Sequence, residues 1–390
     1  MSINVGENDS IIRQLDQILN DAISKRASDI HFEPYREYYR VRFRIDGLLH
    51  EFNKLGSNLG QRFSSRLKIM ANLDIAEKRL PQDGRFTLKL NNQQYRDRDC
   101  RLSTCPTQFG EKLVVRILDP INIVLNAEDL GFNKKELKIF CKHIHLPQGL
   151  ILVTGPTGSG KTSTLYAAIN ILNQYTKNIS TAEDPIEINL NGINQVEINH
   201  KIGLDFAMVL RAFLRQDPDI VMIGEIRDRE TAEIAVKAAH TGHLVLATLH
   251  TNSAPATLTR LLNMGTPAFN LASALKLVIA QRLIRKLCPD CKEVQAIPPE
   301  VLIENKLEKN IKIFAPKGCK HCNEGYHGRI AIFEMLEVTP IVSNLTMKYH
   351  NGGEIEKHLE PLCHCTLRTA ALNKVCEGIT SLEEINRVII

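Results

Sequence analysis

Eight consecutive residues, Gly155-Pro156-Thr157-Gly158-Ser159-Gly160-Lys161-Thr162, carry the most specific chemistry in the sequence. They fit the pattern G-x-x-x-x-G-K-[ST], in which each residue type answers a need of a bound phosphate chain. Glycines let backbone N–H groups turn inward around the anion, and the start of a following helix adds partial positive charge. Lys161 supplies a point charge for β- and γ-phosphate oxygens, and the Thr162 hydroxyl can ligate Mg²⁺. The pattern has this meaning only between a strand and a helix. The apolar run Leu150–Thr154 ahead of it and the helical stretch Thr162–Gln174 behind it meet that condition.

Phosphoryl transfer to water also needs one carboxylate to orient the water and another to help hold the metal. Glu183 follows the predicted strand Ile179–Thr181, and Glu225 follows the apolar run Ile220–Gly224. Both therefore fall at the carboxyl ends of strands, the edge where open α/β sheets bind ligands. His243 and His250 bracket the strand Leu244–Thr248, and only His250, past its end, is placed to reach a γ-phosphate.

A second constellation is Cys288-Pro289-Asp290-Cys291 with Cys319-Lys320-His321-Cys322. Paired C-x₂-C knuckles each present two thiolates, a set suited to tetrahedral Zn²⁺ in a closed, structural site. Cys363-His364-Cys365 is expected on a helix, where residues two apart do not face one another, and is read as structural. Cys100, Cys105, Cys141 and Cys376 lack partners at ligand spacing and are expected to be core thiols.

These groups must be positioned by a chain of 390 residues, 43% hydrophobic, which is enough for two or three domains. A helical apolar stripe at Ile11, Leu15, Ile18, Leu19, Ala22 and Ile23 opens it. Alternation at Ile30, Phe32, Tyr39, Val41, Phe43 and Ile45, ending on Asp46-Gly47, predicts strands joined by a hairpin. A helix over 59–71 and strands over 85–90, 95–102 and 112–118 complete an α+β unit that ends near Asp119-Pro120. Beyond it, short apolar strands alternate with helices at 134–143, 162–174, 205–215 and 228–239, which predicts a largely parallel sheet covered by helices. A cysteine-punctuated insert over 288–328 and helical segments up to Ile390 follow.

Composition narrows the class further. A net charge of +5, no Trp and 5% aromatics offer no basic, aromatic-lined channel, so no nucleic-acid partner is expected. Met1–Ser10 lacks the basic flank and apolar core of a secretory signal, and no apolar run approaches the roughly 18–20 residues that span a bilayer. A cytoplasmic location is expected, with cysteines as thiols or metal ligands.

The motifs, taken together, resemble the secretion ATPases that drive bacterial type II secretion and type IV pilus assembly. Residues 27–34 (ASDIHFEP), 42–47 (RFRIDG), 80–85 (LPQDGR) and 102–104 (LST) are similar to that family's N-terminal boxes. Residues 183–187 (EDPIE) resemble its aspartate box, 217–228 its Walker B segment, and 241–252 its histidine box. The tetracysteine module, followed by residues 325–329 (GYHGR), is similar to that of the assembly and secretion branch. The resemblance runs from about residue 10 to the C-terminus.

It implies an α/β fold with a RecA-like P-loop ATPase domain over 121–390, preceded by an α+β, PAS-like nucleotide-clamping domain over 1–120. The ATPase domain would include a zinc module over 286–330 and a helical region over 331–390. Glu183 would be the water-activating base, Glu225 the Walker B carboxylate, and Arg85 and Arg101 the N-domain arginines that meet the phosphates. Implied cofactors are ATP, Mg²⁺ and Zn²⁺. Implied partners are further copies of the chain in a homohexamer and an inner-membrane platform protein, with the motor peripheral to that membrane. The extra N-terminal docking domain that secretion members often carry is not expected. The alternatives are a DNA-uptake pseudopilus motor, which shares these motifs, and a nucleic-acid translocating RecA-like ATPase; a small-molecule kinase would need neither the tetracysteine module nor the N-terminal boxes.

Overall fold

The computed structural model describes residues 5–89, 97–118, 125–308, 311–349 and 352–389. Its contacts divide the chain into two units, Met1–Asn122 and Ile123–Ile390. The expected boundary at Asp119-Pro120 lies outside the described residues.

In the first unit, helix α1 (Val5–Ser24) buries the stripe Ile11, Leu15, Ile18, Leu19 and Ala22. Strands β1 (Asp29–Pro34), β2 (Tyr38–Ile45) and β3 (Leu48–Gly56) follow, then α2 (Ser57–Met70) and strands β4 (Gln82–Leu88), β5 (Arg98–Thr107) and β6 (Gly110–Leu118). They form one antiparallel sheet in the order β3-β2-β1-β6-β5-β4. The β2–β3 turn holds Asp46 at φ 50° and Gly47 at φ 93°, the pair of positive angles that a two-residue hairpin needs. Alternation in β2 buries Tyr39, Val41, Phe43 and Ile45 in a core that includes Phe63 and Leu67 of α2. Arg40, Arg42 and Arg44 take the other face, where Arg40 and Arg42 pair with Glu33 and Arg44 with Asp29.

Alternation in β5 also corrects one expectation. Cys100, Leu102 and Thr104 point inward, so Cys105, one residue out of phase, is exposed rather than a core thiol. The same unit contains a buried ion pair. Lys68 Nζ lies 2.5 Å from Glu111, whose other oxygen accepts the Ser64 hydroxyl at 2.9 Å.

The second unit begins with α3 (Lys134–Ile144), β7 (Gly149–Thr154) and α4 (Lys161–Leu172). Next come β8 (Ile179–Glu183), β9 (Asn194–Glu197), α5 (Phe206–Phe213), β10 (Ile220–Ile223), α6 (Arg229–His240), β11 (Leu244–Leu249), α7 (Ala254–Asn263) and α8 (Ala268–Ala274). Strand β12 (Leu275–Leu287) leads into β13 (Glu293–Gln295), α9 (Pro299–Glu304) and β14 (Ile313–Ala315), and β15 (Tyr326–Glu337) returns along β12. Helices α10 (Pro340–Lys348), α11 (Gly352–Leu359), α12 (Leu367–Cys376) and α13 (Leu382–Val388) complete the unit.

The main sheet has the order β15-β12-β7-β11-β10-β8-β9, with every neighbouring pair parallel except β12–β15. Strands β7, β10 and β11 are buried along their whole length, which is why they read as unbroken apolar runs. One face packs on α3 and α4, the other on α5–α8 and the C-terminal helices.

Two expectations are corrected here. The helical region expected over 331–390 starts only at Pro340, because Ala331–Glu337 belong to β15. A fully buried apolar run carries no period that separates strand from helix. Cys363-His364-Cys365 is a bend between the 3₁₀ turn Glu360–Leu362 and α12, not part of a helix; Pro361 stands inside that turn and Thr366 caps α12.

Removing one partner of a buried ion pair leaves the other charge uncompensated. Lys68→Met should therefore destabilise the first unit by about 3–5 kcal/mol, and Lys68→Met with Glu111→Leu should recover much of that loss. Chemical denaturation of the single and double variants measures both.

Candidate functional site

The phosphate-binding motif sits between β7 and α4, with Lys161 as the first residue of the helix. Its turn is tight enough to require glycine at two places. A Cβ on Gly155 would lie 2.5 Å from the Gln281 carbonyl oxygen, and one on Gly160 2.8 Å from Gln281 Nε2. Gln281 of β12 also accepts the Thr164 hydroxyl of α4 at 2.7 Å. The Lys161 ammonium donates to the carbonyls of Gly155 (2.9 Å) and Pro156 (3.1 Å), so it folds back over its own loop. Burial lowers its pKa to about 8; nearby Glu225 opposes the shift and Arg282 adds to it. Ser159 Oγ is buried in this loop without a hydrogen-bond partner, and no atom lies within 4 Å of where a Gly158 Cβ would be. An orphaned hydroxyl beside an open backbone turn fits a phosphate oxygen.

Glu225 stands just past β10 and pairs with Arg227 at 2.5 Å and His250 at 3.6 Å. Burial pushes its carboxyl up, but the Arg227 bond and the charges of Arg227, His250 and Lys161 outweigh that and hold it below the usual range. His250 is lowered, first by burial and then by Lys161, so it is neutral at pH 7. Arg227 reaches Asp184 as well, at 3.5 Å. Lys161, Glu225, Arg227 and His250 thus form one electrostatic group at the carboxyl edge of the sheet.

Glu183 is placed differently. It is the last residue of β8 rather than a loop residue, and only 2% exposed. Its carboxylate accepts the Tyr166 and Thr181 hydroxyls and Gln195 Nε2, and makes no hydrogen bond or ion pair with Lys161 or Glu225.

In the first unit, Arg85 lies directly opposite Arg101 across β4–β5, and Arg101 opposite Arg116 across β5–β6. Three guanidinium groups therefore share one row of one face. Arg116, which sequence reasoning passed over, donates to Asp29 at 2.9 Å. Period-two alternation identifies the face, but only the strand register reveals the row.

Cys288, Cys291, Cys319 and Cys322 converge, with all four sulfurs within 4.8 Å of one another. The pairs Cys288–Cys319, Cys291–Cys322 and Cys319–Cys322 are 3.9, 3.7 and 3.6 Å apart. Four sulfurs at about 2.3 Å from a tetrahedral Zn²⁺ would stand about 3.8 Å apart, so the donor set fits that ion. Asp290 and His321, one from each knuckle, bond at 3.2 Å.

Arg227, Arg282, Gln281, Tyr166 and Gln195 are site residues that sequence reasoning did not single out. Arg227 could have been flagged from its place two residues after Glu225. Gln281 and Arg282 lie on β12, a strand without a readable period.

The second unit is thus of the α/β class, with a glycine-rich loop joining a buried strand to a helix and acidic residues at the neighbouring strand ends. The chain belongs to the family described as type II/IV secretion system protein, whose profile matches residues 5–387. It is 52% identical over 382 residues to the type IV pilus assembly ATPase PilB of Pseudomonas aeruginosa, covering 97% of this chain and 67% of that protein. It is 47% identical over 388 residues to type II secretion system protein E of Dickeya dadantii, covering 98% of this chain and 76% of that one. The chain thus spans about two thirds of the pilus relatives' length. The crystal structure of the pilus retraction motor PilT with bound ADP aligns at a TM-score of 0.62 and 26% identity, covering 95% of each chain.

A polyphosphate beside Lys161 favours its charged form, raising a pKa that burial, with Glu225 and Arg282 nearby, sets at about 8. Nucleotide binding should therefore take up protons at about pH 8.5 but not at about pH 6.5, and affinity should weaken as pH climbs above about 8. Titration calorimetry in buffers of different ionisation enthalpy measures the uptake.

Proposed function

We propose that this chain is the cytoplasmic motor of a type IV pilus assembly or type II secretion machine, driving addition of pilin or pseudopilin subunits. It is an ATPase of the secretion family. The observation that carries this reading is the grouping of Lys161, Glu225 and His250 at the P-loop. The identities to assembly and secretion relatives, well above that to the retraction motor, support the assembly direction.

The P-loop residues Gly155 to Lys161 hold the phosphates, and Thr162 with Glu225 holds Mg²⁺, which when bound neutralises charge on the phosphate oxygens. Glu183 takes the proton of the attacking water. Arg85 and Arg101 of the first unit, a PAS-like clamp, meet charge developing on the γ-phosphate. His250 stays neutral and accepts or donates one hydrogen bond there. The four-cysteine cluster holds a structural Zn²⁺, away from the reaction. The chain assembles as a hexamer and is held at the inner membrane by a platform protein; among the described residues no helix is long and apolar enough to cross a membrane itself.

Lys161→Ala should abolish hydrolysis and weaken nucleotide binding. Glu183→Gln should keep affinity and slow turnover by about 10²–10⁴, since an amide cannot accept a proton. Arg85→Ala and Arg101→Ala should lower turnover far more than binding, as removal of transition-state cations does. Steady-state hydrolysis with nucleotide affinity for each variant tests these roles; normal turnover in Lys161→Ala sinks the motor reading itself.

Elemental analysis should find about one zinc per chain, and the Cys288→Ser/Cys319→Ser variant should lose it. Loss of zinc should lower the unfolding temperature of the second unit while leaving nucleotide affinity measurable. Full metal content in that variant would show that other residues hold the ion.

A further inference from the structure

A general base works only if its free lone pair points at the water, so whatever aims Glu183 matters as much as its chemistry. Thr181 cannot aim it relative to the phosphates, because both residues lie on β8 and move together. Tyr166 and Gln195 come from other elements, α4 and β9. Tyr166 stands on the helix that Lys161 begins, and its ring is fully buried in the core between that helix and the sheet.

The Tyr166 hydroxyl donates to Glu183 Oε2 and at the same time accepts the Glu187 N–H at 3.3 Å. Gln195 Nε2 donates to Glu183 Oε1 and to the Ile188 carbonyl, both at 3.0 Å, while its oxygen accepts the Leu190 N–H at 2.6 Å. Each side chain therefore grips the carboxylate and the loop that follows it. With Thr181 they fill three of the roughly four lone-pair directions that a carboxylate offers, so the remaining direction on Oε2 is fixed. Burial and the neighbouring carboxylate push the Tyr166 hydroxyl upward, so it stays a phenol and a donor.

We propose that Tyr166, seconded by Gln195, is the positioning residue that sets the Glu183 carboxylate relative to the phosphate-binding loop. This rests on Glu183 being the water-activating base. The competing explanation is that Tyr166 only fills the core. The hydroxyl decides between them, because Tyr166→Phe keeps the ring and removes only the bond.

The test uses the full chain and compares wild type with Tyr166→Phe, Glu183→Gln and the double variant, each measured for kcat, KM for ATP and thermal unfolding. Tyr166→Phe should lower kcat roughly tenfold to a hundredfold, part of what base assistance supplies, with KM changed less than about twofold. On the Glu183→Gln background it should lower kcat little further, because the group it aims is already disabled. Full kcat in Tyr166→Phe beside a stalled Glu183→Gln overturns the positioning role alone. Near-normal kcat in Glu183→Gln overturns the base assignment and this proposal with it. A matched fall in kcat and rise in KM with a lowered melting temperature assigns Tyr166 to packing and also overturns it. Should Tyr166→Phe fail to fold, Gln195→Met gives the same reading: a loss of kcat at unchanged KM supports the proposal, and unchanged kcat refutes it.

Discussion

A lysine ammonium buried at the edge of a parallel sheet is the constraint around which the second unit is arranged. Desolvating a cation is costly, and Lys161 gets only partial relief within the chain, from the carbonyls of Gly155 and Pro156 and from the field of Glu225. That accounts for its depressed pKa and for the glycines around it, which bring carbonyls close enough to solvate it. It also explains why acidic and basic groups crowd the adjacent strand ends. Glu225 lowers the cost of the Lys161 charge, Arg227 keeps Glu225 ionised, and Asp184 gives Arg227 a second partner. The arrangement is balanced for a polyanion, which would supply the negative charge that the loop carbonyls only imitate.

Much of this was legible in the sequence because burial and period coincide there. Strands β7, β10 and β11 are buried on both faces and read as apolar runs, while α1 and β2 show clean periods of a helix and of a one-sided strand. The glycine-rich loop and its lysine are contiguous in the chain, so their place between β7 and α4 needed no tertiary information. The cysteine cluster was legible for a similar reason, since each C-x₂-C turn is a local structure and only the meeting of the two knuckles is long-range.

What the sequence hid follows from long-range register. The run Ile330–Leu336 has the apolar density of a buried helix, and only its pairing with β12 makes it a strand. Cys105 is exposed because of a phase set ten residues of strand at a time, by which face of β5 meets the core. The companions of Glu183 come from three separate places in the chain, so no spacing rule links Tyr166, Thr181 and Gln195. Arg116 joins the arginine row only once β5 and β6 are aligned.

Strand β12 connects these separate features along the chain. At Gln281 it touches the P-loop glycines and the first turns of α4. Four residues on, Arg285 forms a buried pair with Glu384 of α13 at 2.8 Å and stacks over the Tyr326 ring, which tethers the C-terminal helix. Its end, Leu287, runs directly into Cys288 of the four-cysteine cluster. Strand β12 is paired with β7 only as far as Ala280, and from Gln281 onward its ladder runs to β15 alone, with a bulge between Arg285 and Leu287. Gln281 therefore stands one residue past the stretch held on both sides, and the bulge separates the Arg285–Glu384 pair from the knuckle that begins at Cys288. The same strand thus reaches the nucleotide loop at Gln281 and the cysteine cluster at Leu287, but a one-sided, bulged ladder between them lets the two sites be built independently.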